Sequence, residues 1–361
     1  MPRLPIACSG AAFSLTVAAA LALAAPALAR VADEKAERIA ADRIALTWKG
    51  RAPVDVYIAD RADAEISGAM LVSKANRQGR LESPAAATAR PYFLLRDSQD
   101  GSVARVAERV LPLQQGSNFR DIGGYPAADG RHVKWGVLFR SGGTPLLNDS
   151  DLGTIRALGL ADQVDLRSSE ERVLAPTRIE GIRYQAVGYA MARITGGPGS
   201  PTDDKRMSSA YLNMPDHLAG PLRVLFRTLL QADGPVVYNC SAGQDRTGFA
   251  TALILTALGV PRDTIYADYH LSTTYRHPEW ELPKLDLAQQ APNSTGAYFA
   301  AIQSDPKRSL PRPLYDAEHR PLLEAALVAV ERRWGSVDAY LAKEIGVGPA
   351  EMMKLRATYL E

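Results

Sequence analysis

Residues 236–249 read Val-Val-Tyr-Asn-Cys-Ser-Ala-Gly-Gln-Asp-Arg-Thr-Gly-Phe. An apolar run typical of a buried strand leads into a short turn, and a helix is predicted to begin near Arg246. Cys240 and Arg246 stand six positions apart, in the pattern C-x5-R. A turn between a strand end and a helix start directs several backbone N–H groups into one concavity, where they and the helix dipole favour a dianionic phosphate. The stretch therefore predicts an α/β fold with a phosphate-binding loop at residues 240–246, called the phosphate loop below.

The residues of the phosphate loop suit phosphoryl transfer. The field that holds a phosphate also stabilises a thiolate, so Cys240 is predicted to be the nucleophile. Arg246 offers a planar fork that matches two phosphate oxygens. Thr247 is expected to donate a hydrogen bond to the thiolate, and Gly243 lets the backbone turn tightly. The loop positions that we expect to bind the substrate are Ser241, Ala242, Gly243, Gln244 and, beyond the loop, Thr247.

A carboxyl group in the loop suggests how the leaving group is protonated. The ester oxygen leaves poorly as an anion, so a carboxylic acid close to it should supply a proton, and Asp245 is near enough to do so. The alternative is that Asp245 only pairs with a neighbouring arginine. Both interpretations stay open at this point.

The ends of the chain and its cysteines indicate export. Residues 1–29 combine Arg3, an apolar run at 11–25 and the small-residue site Ala27-x-Ala29, which predicts a cleaved signal peptide and a secreted or periplasmic protein. The alternative is an uncleaved anchor helix, and no later segment is apolar enough to span a membrane. Cleavage removes Cys8 and leaves Cys240 as the single cysteine, which excludes an internal disulfide.

The pattern of apolar and polar residues changes near residue 112. From 30 to 112, short runs alternate apolar and polar residues between turn signals, which predicts a small all-β sandwich with strands at 43–48, 54–58, 91–96 and 103–111. With Trp48, this pattern resembles a fibronectin-type-III-like module. From 113 to 361, strand-like runs alternate with helical segments, which predicts a mostly parallel sheet flanked by helices. The expected strands there are 137–139, 163–166, 182–187 and 235–238, and the expected helices are 218–231, 246–258, 263–271, 321–333, 337–344 and 349–359. Two long loops are predicted at 195–201 and 278–313.

Three further motifs accompany the phosphate loop, and together they resemble the bacterial secreted tyrosine-phosphatase family. They are Asn-Phe-Arg-Asp-Ile-Gly-Gly-Tyr at 118–125, Leu-Phe-Arg-Ser-Gly at 138–142 and Val-Asp-Leu-Arg-Ser at 164–168. The resemblance covers about residues 113–361 and implies a protein tyrosine phosphatase of dual or broad specificity that forms a phosphocysteine. It implies Asp245 as general acid, with Asp165 as its rival or as the orienting partner of the loop arginine. It also implies that Asn118, Arg120 and Arg167 support the loop or contact the substrate.

Two positions depart from the family pattern His-Cys-x-x-Gly-Lys-Asp-Arg-Thr-Gly. Asn239 stands in place of histidine, which puts the activation of Cys240 in question. Gln244 stands in place of lysine, which argues for phosphotyrosine-like monoesters and against a phosphoinositide or phytate phosphatase of the same fold. A non-catalytic phosphate-binding protein is a further alternative, against which the retention of Cys240, Asp245 and Arg246 argues.

Other features define what the protein is not expected to bind. The formal net charge of +2 favours neither nucleic acid nor a membrane surface. The five histidines show no metal-ligand spacing, so we expect no metal and no cofactor. The expected partner is a phosphorylated protein or a small phosphomonoester. Glu170 and Glu171 are expected to be solvated charges, and four tyrosines are expected to flank the pocket or to pack in the core: Tyr184, Tyr189, Tyr211 and Tyr238.

Overall fold

The computed structural model describes residues 31–192, 204–231, 233–305 and 310–361, with no side-chain placement for 204–209. The predicted signal peptide at 1–29 and the predicted loop at 195–201 lie outside these ranges. No helix among the described residues combines the length and the apolar character that crossing a membrane requires.

Two antiparallel sheets form the N-terminal part. Their strands are β1 (Ala32–Ala40), β2 (Arg43–Lys49), β3 (Val54–Ala59), β4 (Met70–Asn76), β5 (Arg80–Pro84), β6 (Tyr92–Asp97) and β7 (Val103–Ala107). One sheet has the order β1-β2-β5 and the other β4-β3-β6-β7. Alternate residues of both sheets share one apolar core that includes Trp48, which confirms a small β-sandwich. The resemblance to a fibronectin-type-III-like module and the boundary at 112 stay predictions.

A five-stranded sheet forms the larger part. It contains β8 (Arg120–Asp121), β9 (Leu138–Ser141), β10 (Asp162–Asp165), β11 (Arg183–Ala186) and β12 (Val236–Asn239), in the order β11-β10-β12-β9-β8. All pairs are parallel except β8 with β9. The mostly parallel sheet is as predicted, and its central strand β12 is the buried apolar run that precedes Cys240.

Helices cover this sheet. They are α1 (Asp149–Arg156), α2 (Ser169–Leu174), α3 (Asp204–His217), α4 (Ala219–Gln231), α5 (Asp245–Ala257), α6 (Arg262–His270), α7 (Ser272–Tyr275), α8 (Thr295–Ser304), α9 (Leu322–Trp334), α10 (Val337–Tyr340) and α11 (Pro349–Tyr359). The predicted helix at 337–344 is instead α10 followed by a π-helical turn, Leu341–Ile345. Helix α5 is buried along nearly its whole length, since it packs between the sheet and several helices.

The strand register determines where the site lies. Asp165, Asn239 and Ser141 end three adjacent parallel strands and are in register with one another. The loops that follow these strands therefore meet at the carboxyl edge of the sheet, where open α/β folds bind ligands.

Buried contacts join the N-terminal sheets to the larger part. Arg90 Nη2 donates to Asp121 Oδ2 at 2.8 Å, and the two side chains are 3% and 0% exposed. The Arg90 guanidinium also lies over the rings of Tyr92, Trp135 and Phe139. Asp121 belongs to the 118–125 motif, so this motif is anchored from the N-terminal side.

Candidate active site

Side chains of the 118–125 and 138–142 motifs hold the phosphate loop by its carbonyl groups. Asn118 Nδ2 donates to Ala242 O at 3.1 Å and to Gly243 O at 2.9 Å. Arg140 Nη2 donates to Gly243 O at 2.8 Å. Asn118 adopts a left-handed backbone conformation with φ of 57°, which asparagine tolerates better than most residues. The predicted supporting role of Asn118 is thus seen as two direct hydrogen bonds to the loop.

Two further loop carbonyls are also bonded. Ser241 O accepts from Gly143 N at 2.7 Å, and Gln244 O accepts from Gly248 N at 2.9 Å. Because the carbonyls of residues 241–243 accept hydrogen bonds from other segments, the peptide planes that follow these residues are fixed. No acceptor among the described residues is found for the backbone N–H groups of loop residues 241–246. Successive unpaired N–H groups at a helix N-terminus form an anion-binding concavity.

Gly243 permits this loop shape. Its φ is +62°, and a Cβ there would lie 2.5 Å from Gly142 N and from Ser141 O. No side chain fits in that space, so the close approach of the two loops requires glycine at this position.

Arg246 is held by a buried carboxylate. Its Nη1 and Nη2 donate to Glu171 Oε2 and Oε1 at 2.7 and 2.6 Å, and Nη1 also donates to Tyr189 Oη at 2.9 Å. A guanidinium has five N–H donors, and these bonds use three of them. The two that are left, Nε–H and one hydrogen of Nη2, lie on one edge, which is the geometry that binds two phosphate oxygens.

Glu171 corrects the sequence analysis, because it is 1% exposed and is not a solvated charge. It occupies the first turn of α2, where it caps the helix with Ser168. Burial alone would raise the pKa of Glu171, but the charge and hydrogen bonds of Arg246 outweigh it and lower the pKa to about 2. Ser241 Oγ also donates to Glu171 Oε1 at 2.6 Å. The carboxylate thus links α2, the Ser241 side chain of the loop and Arg246.

Asp245 begins α5 at the mouth of the loop and is half-buried. Its Oδ1 accepts hydrogen bonds from Tyr211 Oη and from Gln244 Nε2, the latter at 3.1 Å. Tyr211 Oη lies 2.5 Å from Tyr269 Oη, so two buried tyrosines orient the carboxyl group. The structure therefore pairs Asp245 with tyrosines, and no bond joins it to an arginine among the described residues.

Asp165 has a different environment. Both of its oxygens accept from the Arg167 side chain, with Nη2 to Oδ2 at 2.6 Å, and Tyr184 Oη donates to Oδ2 at 2.8 Å. Asn239 Nδ2 lies 3.4 Å from Asp165 Oδ1, and Asn239 Oδ1 accepts from Gln163 Nε2 at 2.9 Å. Asp165 thus orients Arg167, and Glu171 holds Arg246, which was one of the two roles expected of Asp165.

Arg120 supports the loop indirectly. Its Nε and Nη2 bond the side chain of Asp268, and its Nη1 donates to Asn118 Oδ1. Arg140 Nη1 donates to the same Asp268 at 2.5 Å. Burial opposes the charged form of Asp268, but the two guanidinium groups hold its pKa well below the ordinary value. Asp268 is a support that the sequence analysis did not identify, since nothing near it in sequence indicates the pairing.

Of Cys240 and Thr247, only Thr247 differs from expectation. Cys240 follows β12 directly and is a free thiol that is 1% exposed. Thr247 Oγ1 is buried and has no hydrogen-bond partner among the described residues, so the expected bond to Cys240 Sγ is not formed in this structure. The tyrosines were expected to flank the pocket or to pack in the core. Tyr189 and Tyr211 bond residues of the site, whereas Tyr238 Oη bonds Thr251 in the core.

Comparison with known proteins places this geometry among phosphatases. The model of the tyrosine phosphatase family matches residues 111–361. A candidate tyrosine-protein phosphatase of Cupriavidus necator is 33% identical over 257 residues, which cover 68% of this chain and 86% of that protein. The triple specificity protein phosphatase PtpB of Mycobacterium tuberculosis is 30% identical over 283 residues, which cover 70% of this chain and 99% of that protein. A tyrosine-protein phosphatase of Nostoc commune is 27% identical over 242 residues, which cover 64% of this chain and 76% of that protein.

Proposed function

This chain belongs to the tyrosine phosphatase family, and from that premise we propose that it is a cysteine-dependent phosphoric monoester hydrolase with Cys240 as nucleophile. The observation that supports this most is the phosphate loop, in which the carbonyls of 241–243 accept hydrogen bonds from other segments while the N–H groups of 241–246 have no acceptor among the described residues. One edge of Arg246 is free beside them. A phosphate dianion needs such a set of donors, and neighbouring cations favour the thiolate form of a cysteine.

In the first half of the reaction, the Cys240 thiolate attacks phosphorus and an S–P bond forms. The P–O bond to the leaving group breaks, and the oxygen takes a proton from Asp245. The unpaired N–H groups and Arg246 stabilise the charge on the three phosphoryl oxygens. Tyr211 and Gln244 hold Asp245 at the mouth of the loop for this transfer.

In the second half, water attacks the phosphocysteine. Asp245, now a carboxylate, takes a proton from the water, the S–P bond breaks, and inorganic phosphate leaves with Cys240 again a thiolate. Glu171 stays ionised throughout, because its charge holds Arg246, and it is therefore not the acid.

The substrate that we propose is phosphotyrosine in proteins, with dual or broader specificity. Two observations support it: Gln244 gives the loop no lysine, and the relatives carry the names tyrosine-protein and triple specificity phosphatase. We also propose that residues 1–29 are a signal peptide and that the mature enzyme is secreted or periplasmic. We propose a boundary near 112 between the β-sandwich and the catalytic part.

The test is turnover of phosphotyrosine, phosphoserine and phosphothreonine peptides, phosphoinositides and phytate by the mature protein. We expect the phosphotyrosine peptides to give the highest kcat/KM. Cys240→Ser should retain less than about one hundredth of the wild-type kcat, a loss above about 2.7 kcal/mol. A larger residual rate would mean that another group is the nucleophile, and turnover of phytate alone would favour the inositol phosphate alternative.

A further inference from the structure

A segment far from the motifs in sequence borders the phosphate loop. Asn118, whose side chain holds the loop, donates its backbone N–H to Tyr275 O at 2.8 Å. On the other side of Arg276, His277 N donates to Ser117 Oγ at 2.9 Å. Ser117 Oγ in turn donates to Glu281 Oε1 at 2.8 Å. Residues 275–281 are therefore fixed to Ser117 and Asn118, and Asn118 in turn holds the loop.

Arg276 is held in this segment by a second arginine–glutamate pair. Its Nε and Nη2 donate to Glu281 Oε1 and Oε2 at 2.8 and 2.9 Å, and the side chains are 20% and 8% exposed. Nη1 has no acceptor among the residues that the structure describes. The arrangement parallels that of Arg246 and Glu171, in which a buried carboxylate fixes one edge of a guanidinium and leaves other donors free.

The backbone of this segment lies beside the phosphate loop: Gly143 N donates to Ser241 O, and a Cβ on Gly143 would lie 2.8 Å from Glu281 O. Burial alone would lower the pKa of Arg276, but Glu281 and, beyond it, Asp245 and Cys240 raise it above the ordinary value. At the loop position where the family pattern has lysine, Gln244 is neutral and 4% exposed, so Arg276 adds a cation that this position lacks.

We propose that Arg276 binds a second anionic group of the substrate, the carboxylate of an acidic residue next to the phosphotyrosine. This inference rests on the proposed function and specifies its substrate. One fixed cation with a free Nη1 suits one carboxylate, since an arginine N–H donates strong, charge-assisted hydrogen bonds. A polyphosphorylated inositol carries several anionic groups and suits this single cation less well.

The experiment compares two phosphotyrosine peptides that differ only in a Glu or a Gln beside the phosphotyrosine. We expect wild-type kcat/KM to be about tenfold higher for the Glu peptide, which corresponds to ~1.4 kcal/mol for one charge-assisted bond. In Arg276→Gln/Glu281→Gln, which leaves no unpaired buried carboxylate, the ratio should fall to about one. Arg43→Gln removes an exposed charge in β2 and should keep the wild-type ratio.

The outcomes separate this inference from the function on which it rests. Equal turnover of the two wild-type peptides, or a ratio that survives in the double variant, would overturn the inference alone. An equal loss of kcat/KM on both peptides in the double variant would also overturn it, because Arg276 and Glu281 would then have only a structural role. Wild-type turnover of phytate above both peptides, lost in the double variant, would assign Arg276 to an inositol phosphate instead. Failure of the wild type to hydrolyse either peptide would contradict the proposed function itself.

Discussion

Glu171→Gln tests how the phosphate clamp is held. The side chains of Glu171 and Arg246 are 1% and 8% exposed, and two bonds of 2.6 and 2.7 Å join them. The substitution keeps the shape of the side chain but leaves a buried guanidinium without its counter-charge. Breaking a buried pair from one side costs about 3–5 kcal/mol, so we expect a loss of that size in the free energy of unfolding by urea. Arg246 also loses its anchor, and we expect kcat/KM to fall about a hundredfold.

The contribution of Glu171 to the free energy of unfolding should depend on pH in a defined direction. The pKa of Glu171 is about 2 in the folded protein, against 4.5 for the free group. Its contribution to stability is therefore fully present above about pH 4.5 and is lost as the pH falls towards 2. The difference in unfolding free energy between wild type and Glu171→Gln should shrink across that window. Glu180→Gln, at an exposed position between α2 and β11, is the control and should stay within about 0.5 kcal/mol of wild type. Unchanged stability and unchanged kcat/KM in Glu171→Gln would refute this reasoning.

Three further predictions concern the supports of the loop and the proton donor. Asn118→Asp replaces the donor to two loop carbonyls by an acceptor and should lower kcat/KM at least tenfold in steady-state assays; full activity would mean that the carbonyls need no such bond. Arg90→Ala leaves the buried Asp121 carboxylate without its counter-charge and should cost about 3–5 kcal/mol in urea unfolding, whereas a loss below about 1 kcal/mol would show that the contact between the N-terminal sheets and the 118–125 motif is dispensable. Asp245→Asn should slow phosphotyrosine far more than a highly activated aryl phosphate, because only the poor leaving group needs a proton; the same dependence in Asp165→Asn instead would reverse the two roles.

The central part of the fold could be predicted because its signals are local. An apolar run, a glycine-containing turn and an apolar helix follow each other at 236–258, and the structure has β12, the phosphate loop and α5 there. Strands β1, β4 and β5 could not be predicted in the same way. Their residues are largely exposed, so no clear alternation of apolar and polar residues marks them.

The partners of the site residues were harder to predict, since they depend on contacts between distant segments. Glu171 was expected on the surface because adjacent acidic residues usually lie there. A signal was nevertheless present: Ser168-x-x-Glu171 is a capping box directly after the β10 strand end, which predicts a helix start at the site. For Tyr211, Asp268 and Arg276 no such local signal exists, and only the packing of α3, α6 and the 275–281 segment brings them to the loop.

The most direct test of the central claim is to trap the covalent intermediate. Wild-type protein is mixed with a phosphotyrosine peptide, quenched in acid within one turnover, digested and analysed by mass spectrometry. We predict one added phosphoryl group on the peptide that contains Cys240, formed at least as fast as kcat, and none in Cys240→Ser. Turnover with no phosphorylated Cys240, or a phosphoryl group on another residue, would contradict the account.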